Sequence, residues 1–419
     1  MNPTAIEAHL KHLLMDWAVI IVCAWFFGRL ARRVKQPMAV GEILAGILLG
    51  PSLLGALWPE GNQYLFTPET QKSLQLLGKL GLILLLFQVG MEFDYSHLKT
   101  RSKTVVAVSL MGILAPFACG LAIGPWLHTH FAPDLPRFGF ILFICIALSI
   151  SALPIMGRIL LEMRLERTAI GALGISSAAI DDVVGWVLLA VASALVTSGF
   201  VLKALLLQIA GIVVFVLLLQ KVVGPWVRRR WQASWAQHRS LSPSFMTLLL
   251  VLLFACCLAT NLLGIFAIFG AFLFGVALHQ ERELARVWRE RFSDVVLVAL
   301  VPIFFTNTGL NTEIGALQTS LAWLGALVVL VAAVVGKLGG CFLGARFTGQ
   351  SNREAGCIAA LMNTRALMAL VAINIGLDLG LLNKTLFTML VLMALLTTAM
   401  TGPLLRWWLP PTEKKLLPD

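Results

Sequence analysis

Apolar runs of bilayer length recur from one end of this chain to the other, and each is too long to be a strand. A membrane-spanning helix needs roughly 20 mainly apolar residues. Thirteen such spans fall at about 13–30, 38–56, 74–92, 104–126, 138–157, 169–196, 201–223, 243–262, 264–280, 292–310, 320–344, 354–376 and 384–406. None shows the strict apolar–polar alternation of a transmembrane barrel strand, and the bilayer core admits only helices or closed barrels. The chain is therefore expected to be an all-α polytopic membrane protein. Its residues are 59% hydrophobic and 13% charged, with a mean hydropathy of +0.89, whereas a soluble domain carries about 25% charge. The polar start leads into the first apolar run without an A-x-A-like site, so no cleaved signal peptide is expected.

The net charge of +11 fits loop placement better than nucleic-acid binding, because no basic patch interleaved with aromatics occurs. One set of loops carries 24 of the 32 Lys and Arg residues and the opposite set carries 6. By the positive-inside rule this places the amino terminus outside and the carboxy terminus in the cytoplasm. The two remaining bases, Lys337 and Arg365, fall inside spans. The longest cytoplasmic loop, about 224–242, is short and basic, and no soluble regulatory domain is expected. The seven cysteines lie in or beside apolar runs without metal-ligand spacing and read as small apolar residues. His128 and His130 are expected in one solvated loop, a weak metal site at most.

Asp181 and Asp182 stand side by side in the apolar run from Ala169 to Val196. An ionised side chain at mid-membrane costs about 2.5–3.5 kcal/mol on insertion scales, and such residues mark ion or proton pathways. Adjacent helical residues point about 100° apart, so the two acids have different partners. The alternative is a static polar network. Asp182 is the candidate carrier: a desolvated carboxylate holds a proton or a hard monovalent cation, but poorly both at once. Lys337, flanked by Gly336, Gly339 and Gly340 that let another helix approach, is the expected partner of Asp181. A snorkelling lysine near a helix end is the competing account.

An odd helix count suggests two six-helix halves joined by a linking helix, the second half inverted, as secondary transporters are commonly built. Spans five and twelve then correspond, and both are interrupted. Span five carries Ser149-Ile150-Ser151-Ala152-Leu153-Pro154 and span twelve carries Asn363-Thr364-Arg365. Paired interruptions point to a transport site. They are expected to cross, with Ser149, Ser151, Asn363 and Thr364 as oxygen donors suited to a hard cation and Arg365 balancing helix ends. A proline kink and a snorkelling arginine are the bland alternatives. Glu42 and Glu92, near span ends, read as gates or structural contacts.

These residues resemble the monovalent cation:proton antiporter superfamily, second branch, which includes bacterial sodium/proton antiporters and the membrane part of potassium-efflux systems. The stretch from Gly41 to Gly55 is similar to the family's second-helix signature almost letter for letter. Phe87-Gln88-Val89-Gly90-Met91-Glu92, Gly270-Ala271-Phe272-Leu273-Phe274-Gly275, Pro302-Ile303-Phe304-Phe305 and the stretch from Asn374 to Gly380 also fit. The sequence departs from the family at Ala366, where Gly is frequent, at Ala369, where Glu is frequent, and at Ser151, where Thr is common.

The resemblance implies a sodium/proton antiporter-like fold and a homodimer in a bacterial inner membrane. It implies a dimerisation part at about 1–92 and 243–310, a core ion-transport part at about 104–196 and 320–406, and a linker helix at about 201–223. Alternating access of the elevator type is expected, with no cofactor, membrane lipid as surroundings and no nucleic-acid partner. Asp182 matches the family's ion-binding acid, and Asp181 with Lys337 matches the electrogenic type. The function so implied is secondary active Na⁺/H⁺ antiport rather than an enzyme activity. K⁺/H⁺ antiport or K⁺ efflux on the same scaffold, and a non-transporting membrane sensor, are the alternatives.

Overall fold

A computed structural model describes residues 3–34, 36–92, 102–163, 165, 168–197, 202–238, 241–263 and 267–411. The described elements are helices and turns, without a strand among them. In chain order the helices are α1 (Pro3–Arg33), α2 (Met38–Leu49), α3 (Leu54–Leu57), α4 (Pro59–Leu65), α5 (Pro68–Met91), α6 (Ser102–Phe131) and α7 (Arg137–Ser149). They continue as α8 (Leu153–Glu162), α9 (Ala169–Thr197), α10 (Leu202–Leu218), α11 (Gly224–His238), α12 (Pro243–Leu262) and α13 (Ala267–Ala277). The last are α14 (Arg282–Val295), α15 (Val301–Leu310), α16 (Ser320–Phe347), α17 (Asn352–Met362), α18 (Ala366–Asp378) and α19 (Lys384–Trp408). Two π-helical turns, Leu219–Val223 and Val296–Leu300, join α10 to α11 and α14 to α15.

Polar residues between the apolar runs set the helix starts. Thr67 caps α5 and Ser242 caps α12, each followed by a proline in the first turn. Ser351 and Glu354 form a capping box on α17, while Thr319 and Asn383 cap α16 and α19.

Ten helices among the described residues are long and apolar enough to cross a membrane, with three shorter apolar helices beside them. These thirteen apolar helices fall on the thirteen expected spans, but only ten reach bilayer length, so the exact count of thirteen is not confirmed. Two of the short segments, Arg137–Ser149 and Met368–Asp378, belong to spans five and twelve, each of which is divided into two helices. The basic stretch expected as a loop is helix α11, continuous with α10 through the π turn. His128 and His130 lie in the last turn of α6 rather than in a loop, and each has a ring nitrogen on a backbone carbonyl, of Leu135 and Trp126 respectively. The expected junction at Gly264 lies outside the described residues, as do Lys35, Lys99, Arg101, Arg164, Arg167, Arg239, Lys414 and Lys415.

The chain divides into two compact units. Unit 1 comprises Met1–Ile21, Leu65–Asp94 and Ser193–Asn307. Here the motif of α5 meets the motif of α13. A Cβ on Gly275 would stand 2.2 Å from the Phe87 carbonyl oxygen, so only glycine permits that approach. Phe87 packs on Phe274 with ring centroids 5.3 Å apart and edge-on to Trp288 at 4.8 Å. Glu92 pairs with Arg289 at 2.9 Å.

Unit 2 comprises Val22–Tyr64, Tyr95–Ala192 and Thr308–Asp419. Its spine is α6 packed along α16. Gly336, Gly340 and Gly344 recur every four residues on α16, which places them on one face. A Cβ on Gly340 would lie 2.3 Å from the Met111 carbonyl oxygen, and those on Gly336 and Gly344 would strike Pro116 and Ala107. The absence of side chains on that face lets the two backbones touch.

Candidate functional site

The two divided spans meet inside unit 2. The α7–α8 break covers Ile150–Ala152, and the α17–α18 break covers Asn363–Arg365. Ala152 N–H donates to the Thr364 carbonyl at 2.9 Å, and the Ser151 hydroxyl donates to the Met362 carbonyl at 3.3 Å. Four helix ends therefore lie within the protein, and their unpaired amides and carbonyls need partners. Pro154 follows the first residue of α8, where its missing N–H breaks no helical bond; its side chain lies outside the described residues.

Positive side chains meet the carbonyl end of α7. Lys337 donates to the Ser149 carbonyl at 2.6 Å, and the Arg365 guanidinium donates to the Leu148 carbonyl. Cations at a helix C-terminus are favourable against its dipole. Arg365 also donates to the Ala333 carbonyl on α16 at 2.8 Å. It is fully buried, and its Nε has no hydrogen-bond partner. One turn further along, Ala369 is buried.

Both oxygens of Asp181 have partners. Its Oδ1 accepts from the Ser109 hydroxyl of α6 at 2.5 Å, and its Oδ2 accepts from Ser151 at 2.9 Å and from Lys337 at 2.6 Å. Lys337 completes its three donors with the Gly112 carbonyl at 2.9 Å. A buried ion pair is tolerated when further hydrogen bonds satisfy the remaining donors and acceptors, and this one meets that condition.

Asp182 differs. It is 3% exposed, and its Oδ1 has no hydrogen-bond partner. The carboxylate faces the backbone N–H of Leu153, the first residue of α8, where a helix N-terminus favours negative charge. Beside it lies a narrow pocket lined by Ile150, Gly185, Leu189 and Met368.

Of the other expected oxygen donors, the Ser149 and Thr364 hydroxyls are committed elsewhere. The Ser149 hydroxyl donates to the Cys145 and Ile113 carbonyls at 2.7 and 3.1 Å. Thr364 shares a hydrogen bond with Thr401 at 3.0 Å. Asn363 donates through Nδ2 to the Thr397 carbonyl at 3.3 Å, and its Oδ1 is buried without a partner. Sequence reasoning missed Ser109 on α6 and three residues of α19. Thr398 receives the backbone N–H groups of Arg365 and Ala366 at 3.2 and 3.0 Å, capping α18 from a neighbouring helix. The cluster Thr397, Thr398 and Thr401 in an apolar run was the available signal. Among the described residues no group of three His, Cys, Asp or Glu could hold a metal ion.

Comparison with known proteins follows this geometry. Residues 18–410 match the family described as sodium/hydrogen exchanger, transmembrane. The Na(+)/H(+) antiporter NhaS4 of Synechocystis is 36% identical over 396 residues, covering 94% of this chain and 96% of that protein. The Na(+)/H(+)-K(+) antiporter GerN of Bacillus cereus is 30% identical over 400 residues, covering 95% and 97%. The chain spans about half the length of the Arabidopsis thaliana relatives it matches. In fold it is similar to the sodium proton antiporter MjNhaP1 of Methanocaldococcus jannaschii, with a TM-score of 0.69 at 16% identity over 98% of this chain and all of that one. The family is one of secondary transporters rather than enzymes. This multi-pass membrane protein belongs to the sodium/hydrogen exchanger family.

Proposed function

We propose that the protein is a secondary active antiporter that exchanges Na⁺ for H⁺ at Asp182. The observation that carries this reading is the contrast between neighbours: both oxygens of Asp181 have partners, whereas Asp182 Oδ1 is buried and unpartnered. A buried carboxylate oxygen without a donor favours uptake of either a proton or a cation. Asn363 Oδ1 is a second uncommitted oxygen for a cation. The likeness to NhaS4 supports Na⁺ as the cargo. The likeness to GerN, whose name carries both Na⁺ and K⁺, supports K⁺/H⁺ exchange as the second reading.

Exchange is electrogenic in this reading, two protons moving per sodium ion. One proton leaves Asp182 and the other leaves the Asp181–Lys337 pair. Each net charge moved is worth about 2.3 kcal/mol per 100 mV. The core part, about 104–196 and 320–406, carries the site in an elevator-type cycle against a dimerisation part, about 1–92 and 243–310, with the 201–223 helix as linker. The protein works as a homodimer in an inner membrane, amino terminus outside and carboxy terminus in the cytoplasm, and the exchanged ions are its only small-molecule partners. The test is proton flux in proteoliposomes given Na⁺, K⁺ or Li⁺, with and without an imposed potential. Na⁺-driven proton movement that responds to the potential is expected. Proton movement indifferent to every cation would refute the antiporter reading.

A further inference from the structure

Unit 1 contains a buried acid that the Asp181–Asp182 centre does not use. Asp16 lies on α1 with no exposed surface. It stands ten residues into the apolar segment Ile6–Arg33, roughly 15 Å of helical rise, about half the thickness of a bilayer's hydrocarbon core. Neither of its carboxylate oxygens has a hydrogen-bond partner.

Two groups act on that carboxylate. His12 stands one turn earlier on the same helix face, and Thr70 faces it from α5. The Thr70 hydroxyl is shared with the Thr67 carbonyl at 3.1 Å. Other polar groups nearby in sequence are engaged too: His9 with the Ser73 hydroxyl at 2.9 Å, and the Trp17 ring N–H with the Ala299 carbonyl at 2.8 Å.

A bare carboxylate buried in this position is costly. One proton removes the conflict in either of two placements. On Asp16 it makes a carboxylic acid whose O–H can donate to a lone pair of Thr70 Oγ1. On His12 it makes an imidazolium beside the carboxylate. We propose that Asp16 and His12 form a second proton-binding site, which holds one exchangeable proton where α1 faces α5. The proposal rests on unit 1 alone and stands whether or not Asp182 exchanges cations.

Infrared difference spectroscopy of the full-length protein in lipid tests it. Wild type minus Asp16→Asn is expected to show one protonated carboxyl stretch, lost as pH rises and indifferent to Na⁺ or K⁺. His12→Ala is expected to move its midpoint at least tenfold in proton activity. No carboxyl band attributable to Asp16 at any pH would overturn the site, a band displaced by Na⁺ or K⁺ would make it a cation site instead, and an unmoved midpoint in His12→Ala would overturn the pair. If Asp16→Asn does not fold, nuclear magnetic resonance of ¹⁵N-histidine-labelled wild type reads His12 directly. A His12 that titrates as an isolated imidazole would refute the proposal, and one that shares its titration with a carboxyl group would support it.

Discussion

Lys337 Nζ lies 2.6 Å from Asp181 Oδ2, and neither side chain is exposed. Removing one partner strands the other. Lys337→Ala is expected to lower stability by about 3–5 kcal/mol, the usual penalty for breaking a buried pair. Removing both charges in Asp181→Asn/Lys337→Met is expected to recover most of it. Thermal unfolding in detergent measures both, and an unchanged melting temperature in Lys337→Ala would contradict the pairing.

Asp182→Asn separates carriage from structure. Its Oδ1 makes no hydrogen bond, so an amide of the same shape removes a buried charge and few contacts. We expect a melting temperature no lower than that of the parent, together with complete loss of cation-coupled proton flux. Flux that survives would move the carrier elsewhere.

Ser109 positions Asp181 from α6. Ser109→Ala deletes a 2.5 Å hydrogen bond to a carboxylate, and bonds to charged groups contribute about 1.5–3 kcal/mol. The loss of that order should disappear when Asp181→Asn is already present. A double-mutant cycle on stability is the measurement, and simple additivity would show that the two side chains are not coupled.

Two adjacent glycines of α16 should respond oppositely to the same change. Gly340→Val places a Cβ 2.3 Å from the Met111 carbonyl oxygen, whereas a Cβ on Gly339 meets nothing within 4 Å. Overpacking costs about 1–3 kcal/mol and more where backbone must move. Gly340→Val should therefore unfold early and Gly339→Val should not, as judged by melting of the purified proteins.

The parts of this site that sequence reveals are those that are expensive in lipid. Asp181, Asp182, Lys337 and Arg365 are charges within apolar runs, and the positive-inside count leaves only Lys337 and Arg365 inside spans. Pairing Lys337 with Asp181 then follows from charge alone. Ser109 and Thr398 are harder to find, because a hydroxyl can satisfy itself on its own helix, as Thr397 does on Met393, and so leaves no energetic trace in the sequence. The interruptions are legible as polar residues and a proline, but not the saturation of the Ser149, Ser151 and Thr364 hydroxyls. The loop reading of 224–242 fails for a plainer reason: after Pro225 the stretch contains Arg, Gln, Ala and Trp without a helix breaker, and charge density alone does not end a helix.

The three groups that receive hydrogen bonds from Lys337 stand on α6, α7 and α9, and the lysine itself stands on α16. Two of the three are peptide carbonyls, which no change of pH can alter. If Asp181 takes a proton, the ammonium is still anchored at Gly112 and Ser149. The acid can change its charge while the four helices stay riveted through one nitrogen, so the electrical state of this joint and its mechanical integrity are set by different atoms.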